Sequence, residues 1–140
     1  HSVLLPNGSG FDLAPAGEAR WVRFELSAKP DATADITVAF AVPAGAALLR
    51  LDEVKFPPGA VARRHVHPGA GIRVLTTGAL EIISDTDRET ATPGHAWFEP
   101  ANSPVRAEAT AGAPMTAFVR FMVLPVSYQG QPTIHVLDPT

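Results

Sequence analysis

Apolar and polar residues alternate over short stretches of this chain, and proline or glycine ends nearly every stretch. Trp21-Val22-Arg23-Phe24-Glu25-Leu26 alternates and stops before Pro30, and the β-branched run Ile36 to Val42 ends at Pro43 and Gly45. Leu48 to Phe56 halts at Pro57-Pro58-Gly59, Val61 to His67 at Pro68-Gly69, and Ile72 to Thr77 at Gly78. Leu80 to Ser84 leads into a polar stretch, Asp85 to Thr92, and Pro93-Gly94 precedes Ala96 to Glu99. Val105 to Thr110, Met115 to Leu124 and Ile134 to Leu137 complete the series. A period of two is the mark of a strand with one buried face. No window carries the amphipathic period of the helices that a βαβ arrangement needs. The spacing predicts nine or ten strands in an all-β, antiparallel sandwich or barrel, one domain over residues 1–140.

Composition narrows the chemistry more than the fold. The chain has 140 residues, 14 prolines, 11 glycines and no cysteine. Disulfides, cysteine zinc sites, iron–sulfur clusters and thiol nucleophiles are excluded. Eleven basic and 14 acidic residues give a net charge of −3, which argues against a nucleic-acid partner. No run approaches the ~18 apolar residues of a membrane span, and no charged n-region precedes an apolar h-region. A soluble protein follows, cytoplasmic by default. Because the chain begins at His1, a periplasmic protein that has lost an upstream signal peptide is the alternative. Neither a Gly-x-Ser-x-Gly elbow nor a phosphate-binding glycine loop opening a helix is present.

One cluster carries chemistry. His65 and His67 stand at i and i+2 on a strand candidate, which puts both imidazoles on one face. Two imidazoles on one face supply two corners of a divalent metal site, or else two polar groups on an edge strand. The residues around them resemble the cupin family. Gly59, five residues, His65-Val66-His67, three residues, Gly71, six residues and Gly78 keep the frame of the first cupin motif, G-x5-H-x-H-x3-E-x6-G, at 59–78. Gly94-His95-Ala96-Trp97-Phe98-Glu99-Pro100 opens the frame of the second, G-x5-P-x-G-x2-H-x3-N, at 94–109. The resemblance implies a jelly-roll barrel (a double-stranded β-helix), extra N-terminal strands within 1–45, a homodimer and a divalent metal held by three histidines and one glutamate.

The departures from that pattern fall on the metal ligands. Gly71 stands where the family has its glutamate, Val105 where it has its third histidine, and Asn102 and Ala109 replace the second motif's later glycine and asparagine. Only His65 and His67 transfer as metal ligands. Glu99 borders the expected cavity with Trp97 on the same face, and is either a substitute carboxylate ligand or a rim residue. Arg73 continues the inward parity of position 71. Unless a bulge at Pro68–Gly71 turns it outward, it needs a carboxylate from the protein or from a ligand. Of Arg63 and Arg64, alternation points one to the cavity and one to solvent. Asp52-Glu53 and the acids of 85–89 read as solvated charges.

Two functions follow. The first is a binding module whose cavity, with ligand-contacting residues His65, His67, Arg73, Trp97, Glu99 and Val105, holds a small molecule, anionic or carboxylate-bearing if Arg73 faces inward. The second is a metal-dependent enzyme, of the oxygenase, isomerase or decarboxylase-like kind. It would use His65 and His67 with an unorthodox third ligand and Fe, Mn, Ni, Cu or Zn.

Overall fold

The hairpin-forming turns bring the strands into two antiparallel sheets. A computed structural model describes residues 22–112 and 115–138. In chain order the strands are β1 (Ala47–Phe56), β2 (Val61–Val66), β3 (Ala70–Thr77), β4 (Leu80–Ser84), β5 (Arg88–Ala91), β6 (Ala96–Glu99), β7 (Val105–Ala109), β8 (Thr116–Pro125) and β9 (His135–Val136). One sheet has the order β1-β8-β3-β6 and the other β5-β4-β7-β2-β9. This is the jelly-roll arrangement, with no α-helix among the described residues. Both inner faces contribute to one core, in which Leu75, Phe118 and Trp97 of the first sheet meet Leu80, Ile82, Val105 and Ala107 of the second.

Turn chemistry explains where strands end. Gly78, between β3 and β4, has φ +79°, and a Cβ there would meet Met115 O and Thr116 Oγ1 and Cα. Only glycine fits a left-handed turn pressed this closely against a neighbouring strand. Pro125 closes β8 and leads into a single 3₁₀ turn, Val126–Tyr128.

Three expectations about elements change. The polar stretch 85–92 contains β5, an edge strand paired to β4 from Leu80↔Ala91 to Ile83↔Arg88. Its hairpin is fixed by Ser84, whose Oγ accepts the amide of Asp87 at 2.9 Å. Within Arg88–Ala91 only Ala91 is fully buried, so no apolar alternation announced it. The extra strands expected within 1–45 are absent from residues 22–45, which contain none; the part of that expectation on residues 1–21 lies outside the described residues. Aromatic residues of this segment pack on the sheet's outer face instead. Phe24 stacks on Phe121 at 5.6 Å and Phe40 meets Phe98 at 6.4 Å. Finally, the closing strand is only His135–Val136, paired to the edge of β2.

Strand register sets the cavity's chemistry. Across the first sheet, Asp52 of β1, Arg120 of β8, Arg73 of β3 and Trp97 of β6 are successive cross-strand partners. The adjacent inward row is Arg50, Met122, Gly71 and Glu99. Directly opposed residues in a sheet share a face, so three arginines, Arg50, Arg73 and Arg120, and two carboxylates, Asp52 and Glu99, gather in neighbouring rows.

Candidate functional site

The histidine pair owes its direction to a β-bulge. Strand β2 pairs with β7 at Ala62↔Ala107 and again at His65↔Val105, with a register shift between. Ala62 and His65 are three residues apart, yet both line the same cavity. A bulge inserts one residue and reverses the parity beyond it. His65 and His67 are thereby buried, at 5% exposure each. Arg64 instead turns away and pairs with Asp85 at 2.9 Å, and neither Arg63 nor Arg64 is among the cavity's wall residues.

Each ring is anchored through Nδ1. His65 Nδ1 lies 2.6 Å from the carbonyl of Arg63, and His67 Nδ1 2.6 Å from that of Thr133. A carbonyl only accepts, so these partners assign the proton to Nδ1 in both rings. The two Nε2 atoms face one another at 3.2 Å, and in a neutral ring with its proton on Nδ1 the Nε2 is a lone-pair acceptor. His67 is neutral at physiological pH: burial first, then the Arg73 charge, push its pKa down to about 4. With both rings neutral, the two acceptors cannot bond one another. The pair calls for a donor.

Arg73 faces inward, because β3 runs in register with both neighbours from Gly71 to Val74. Its side chain is 1% exposed. Nη1 donates to the carbonyl of Gly71 at 2.7 Å, and Nη2 lies 2.7 Å from Glu99 Oε2. That last contact is an ion pair without an aligned N–H, so Arg73 Nη2 and Glu99 Oε2 are both left without a directed hydrogen bond. Burial brings the Arg73 pKa down to about 10 against the opposing pull of Glu99; the guanidinium is still charged at neutral pH. Glu99 Oε1 accepts the indole N–H of Trp97 at 2.9 Å. Arg120 donates to both oxygens of Asp52, at 2.6 and 2.9 Å.

These side chains surround a cavity of about 60 Å³ whose walls include His65, His67, Arg73, Trp97, Glu99, Val105 and Arg120. A water needs roughly 10–15 Å³ by the same measure, so the space suits a handful of non-hydrogen atoms. A larger groove of about 310 Å³ adjoins it between the β4–β5 and β6–β7 turns, sharing Ile82, Trp97, Glu99 and Val105 as walls. On the other side, the segment after β8 straps the barrel. Arg50 reaches the carbonyls of Tyr128 and Gln131, Thr133 O holds His67, and Ile134 lines the cavity.

All six residues singled out from the sequence therefore meet at one cavity. Val105 is buried at the cross-strand position beside His65, so a valine faces the histidines where the resemblance places a third imidazole. His95 lies apart, with Nε2 2.9 Å from Glu89. His135 is exposed on β9. Two groups escaped the sequence reading. Asp52, read as solvated, is Arg120's partner, and Arg120 itself carried no signal, because the pair joins positions 68 residues apart.

Do these residues suit a divalent metal? Histidines anchored through Nδ1 to carbonyls are a common feature of metal ligands, and two nitrogens on one ion stand roughly 2.9–3.4 Å apart at bonds of about 2.0–2.1 Å. The rest of the cavity does not suit one. Glu99 is engaged by Arg73 and Trp97, Gly71 and Val105 offer no donor, and no group of three or more candidate ligands is arranged around a point among the described residues. Charge decides the matter. Arg73 and Arg120 offset Glu99 and Asp52, and Arg50 adds a further cation in the adjacent row, so a divalent ion would meet no net negative charge to compensate it. The donor set does not fit the ion.

The depressed His67 pKa carries a stability consequence. Between about pH 4 and 6.5 the unfolded chain binds a proton at this position that the folded chain refuses, so stability falls with pH across that window. The loss should be on the order of 3 kcal/mol by pH 4. Urea midpoints measured from pH 7 to 4.5 should show it, and a His67→Phe variant should lose most of that slope; an unchanged slope in the variant would contradict the assignment.

Comparison with known proteins places the chain in context. A family model described as "Cupin domain" matches residues 52–121. No curated protein matches the chain. Among solved structures it is similar to the polyketide cyclase RemF from Streptomyces resistomycificus, with TM-score 0.54 and 17% identity over 66% of this chain and 62% of that one. The DMSP lyase DddQ from Ruegeria pomeroyi DSS-3 gives TM-score 0.55 and 20% identity over 65% of this chain and 44% of that one. A cupin-like protein from Thermotoga maritima gives 0.54 and 20%, over 64% and 65% respectively. The match thus spans about three fifths of the cyclase and under half of the lyase. At these identities the likeness is one of fold.

Proposed function

This chain belongs to the cupin domain family, and we propose that it is a metal-free member whose barrel cavity binds a small, uncharged, hydroxyl-bearing molecule. The observation that carries this reading is the pair of facing His65 and His67 Nε2 acceptors 3.2 Å apart, beside the undirected Arg73 Nη2 and Glu99 Oε2. A hydroxyl donates to an imidazole and accepts from the guanidinium, meeting the needs of both. Arg73 already has its carboxylate in Glu99, which removes the reason for an anionic ligand. The inner space takes the head of the molecule and the adjoining groove its remainder. That groove carries Asp85, Asp87 and Glu89, which disfavours an anionic tail.

Trp97 in the cavity wall is a built-in reporter. With Trp21→Phe it becomes the sole tryptophan. Ethylene glycol and glycerol should change its fluorescence saturably, and His67→Phe should abolish the change. Preference for glycolate or acetate over the diols would overturn the reading, as would the absence of saturation by either diol.

The second reading, a metal-dependent cupin enzyme, draws on the Nδ1 anchoring of both histidines. The filled charge balance and the missing third ligand weigh against it.

A further inference from the structure

The cavity contains a fixed cation at the place where a metal would otherwise complete a site. We infer that Arg73 is the residue that determines the ligand class of this cavity: its guanidinium keeps Glu99 from joining His65 and His67, and its removal converts the cavity into a transition-metal site. The inference rests on the metal-free reading above.

Three observations support it. First, Arg73 contacts both Gly71, where the family's first motif has its glutamate, and the carboxylate of Glu99. Nη1 bonds the backbone of Gly71, and Nη2 faces the carboxylate of Glu99, the cross-strand partner of Gly71. Second, Glu99 Oε2 already stands 3.9 Å from His67 Nε2, and its contact with Arg73 is one of charge rather than of an aligned hydrogen bond. Once the charge is gone, the indole hydrogen bond from Trp97 to Oε1 is the one directed contact left on the carboxylate, and Oε2 is free to turn toward the histidines. Third, the charge count reverses. Arg73 and Arg120 together offset Glu99 and Asp52; without Arg73 the remaining three of these groups sum to −1, and two imidazoles and one carboxylate then form the two-His-one-carboxylate set that suits Fe, Co, Ni or Zn. Arg73, second to burial among the causes of the lowered His67 pKa, would also repel a divalent ion.

Arg73→Met, of similar reach and without charge, is the test, with Co²⁺ alone as the probe on untagged protein. Arg73→Met should bind one Co²⁺ per chain at least about 100-fold more tightly than wild type, with a visible absorption band and a raised melting temperature. Arg73→Lys, which keeps the charge, should behave like wild type. Adding Glu99→Gln or His67→Ala to Arg73→Met should abolish the binding. A folded Arg73→Met that ignores Co²⁺, or an Arg73→Lys that binds it equally, overturns the inference. Should Arg73→Met fail to fold alone, recovery on refolding with Co²⁺ supports it, and no recovery, while Arg73→Met/Glu99→Gln folds unaided, overturns it. Stoichiometric metal in the wild type would instead defeat the metal-free reading, so the two failures are distinguishable.

Discussion

Glu99→Ala is expected to destabilise the protein by about 3–5 kcal/mol, because it leaves the Arg73 charge buried and unpaired. The guanidinium has no means of avoiding that state. Even with burial bringing its pKa down to about 10, it stays protonated at pH 7, and its remaining partner is the carbonyl of Gly71. Trp97 loses its acceptor in the same step. The double variant Arg73→Met/Glu99→Leu should recover most of the loss, since replacing both members of a buried pair by apolar groups is often close to neutral. Denaturant titration of wild type, Arg73→Met, Glu99→Leu and the double variant would give the coupling directly. Additive losses would show that the pair is not a unit and would remove the charge-balance argument with it.

Gly71→Glu, which rewrites the position to match the family's first motif, should fail to restore a metal site and should cost about 3 kcal/mol or more. The obstacle is backbone. A Cβ at position 71 would meet the carbonyl oxygen of Phe121, and would come within 3.0 Å of both Cα and Cγ of Met122. Met122 is fully buried on β8, an interior strand of the sheet, so a shift of that strand disturbs its pairing on both sides. Gly71→Ala should carry much of the same penalty, which separates the clash from the added charge. Circular-dichroism melts of both variants, with and without Zn²⁺, are the check. A Gly71→Glu protein as stable as wild type and loaded with zinc would contradict the packing.

What could be read in advance depended on how local the controlling interaction is. The two-residue spacing of His65 and His67, the inward parity of Arg73 and the shared face of Trp97 and Glu99 all follow from alternation within one strand, and the motif frame located them. Alternation reached its limit at β2, where the bulge between Ala62 and His65 changes which residues face the cavity without any proline or glycine to announce it. Asp52 looked like a surface acid because its partner, Arg120, is supplied by strand pairing from the far end of the chain. The Thr133 carbonyl on His67 is invisible for a similar reason, since a backbone acceptor has no sequence signature. Strand β5 was hidden because an edge strand needs little apolar content.

If the cavity's own arginines and carboxylates leave no place for a divalent ion, as proposed, metal content shows it most directly. Untagged wild-type protein, incubated with Fe²⁺, Mn²⁺, Ni²⁺, Cu²⁺ and Zn²⁺ in turn and freed of excess ion, should hold far less than one metal per chain. Near-stoichiometric metal that disappears in both His65→Ala and His67→Ala would contradict the account.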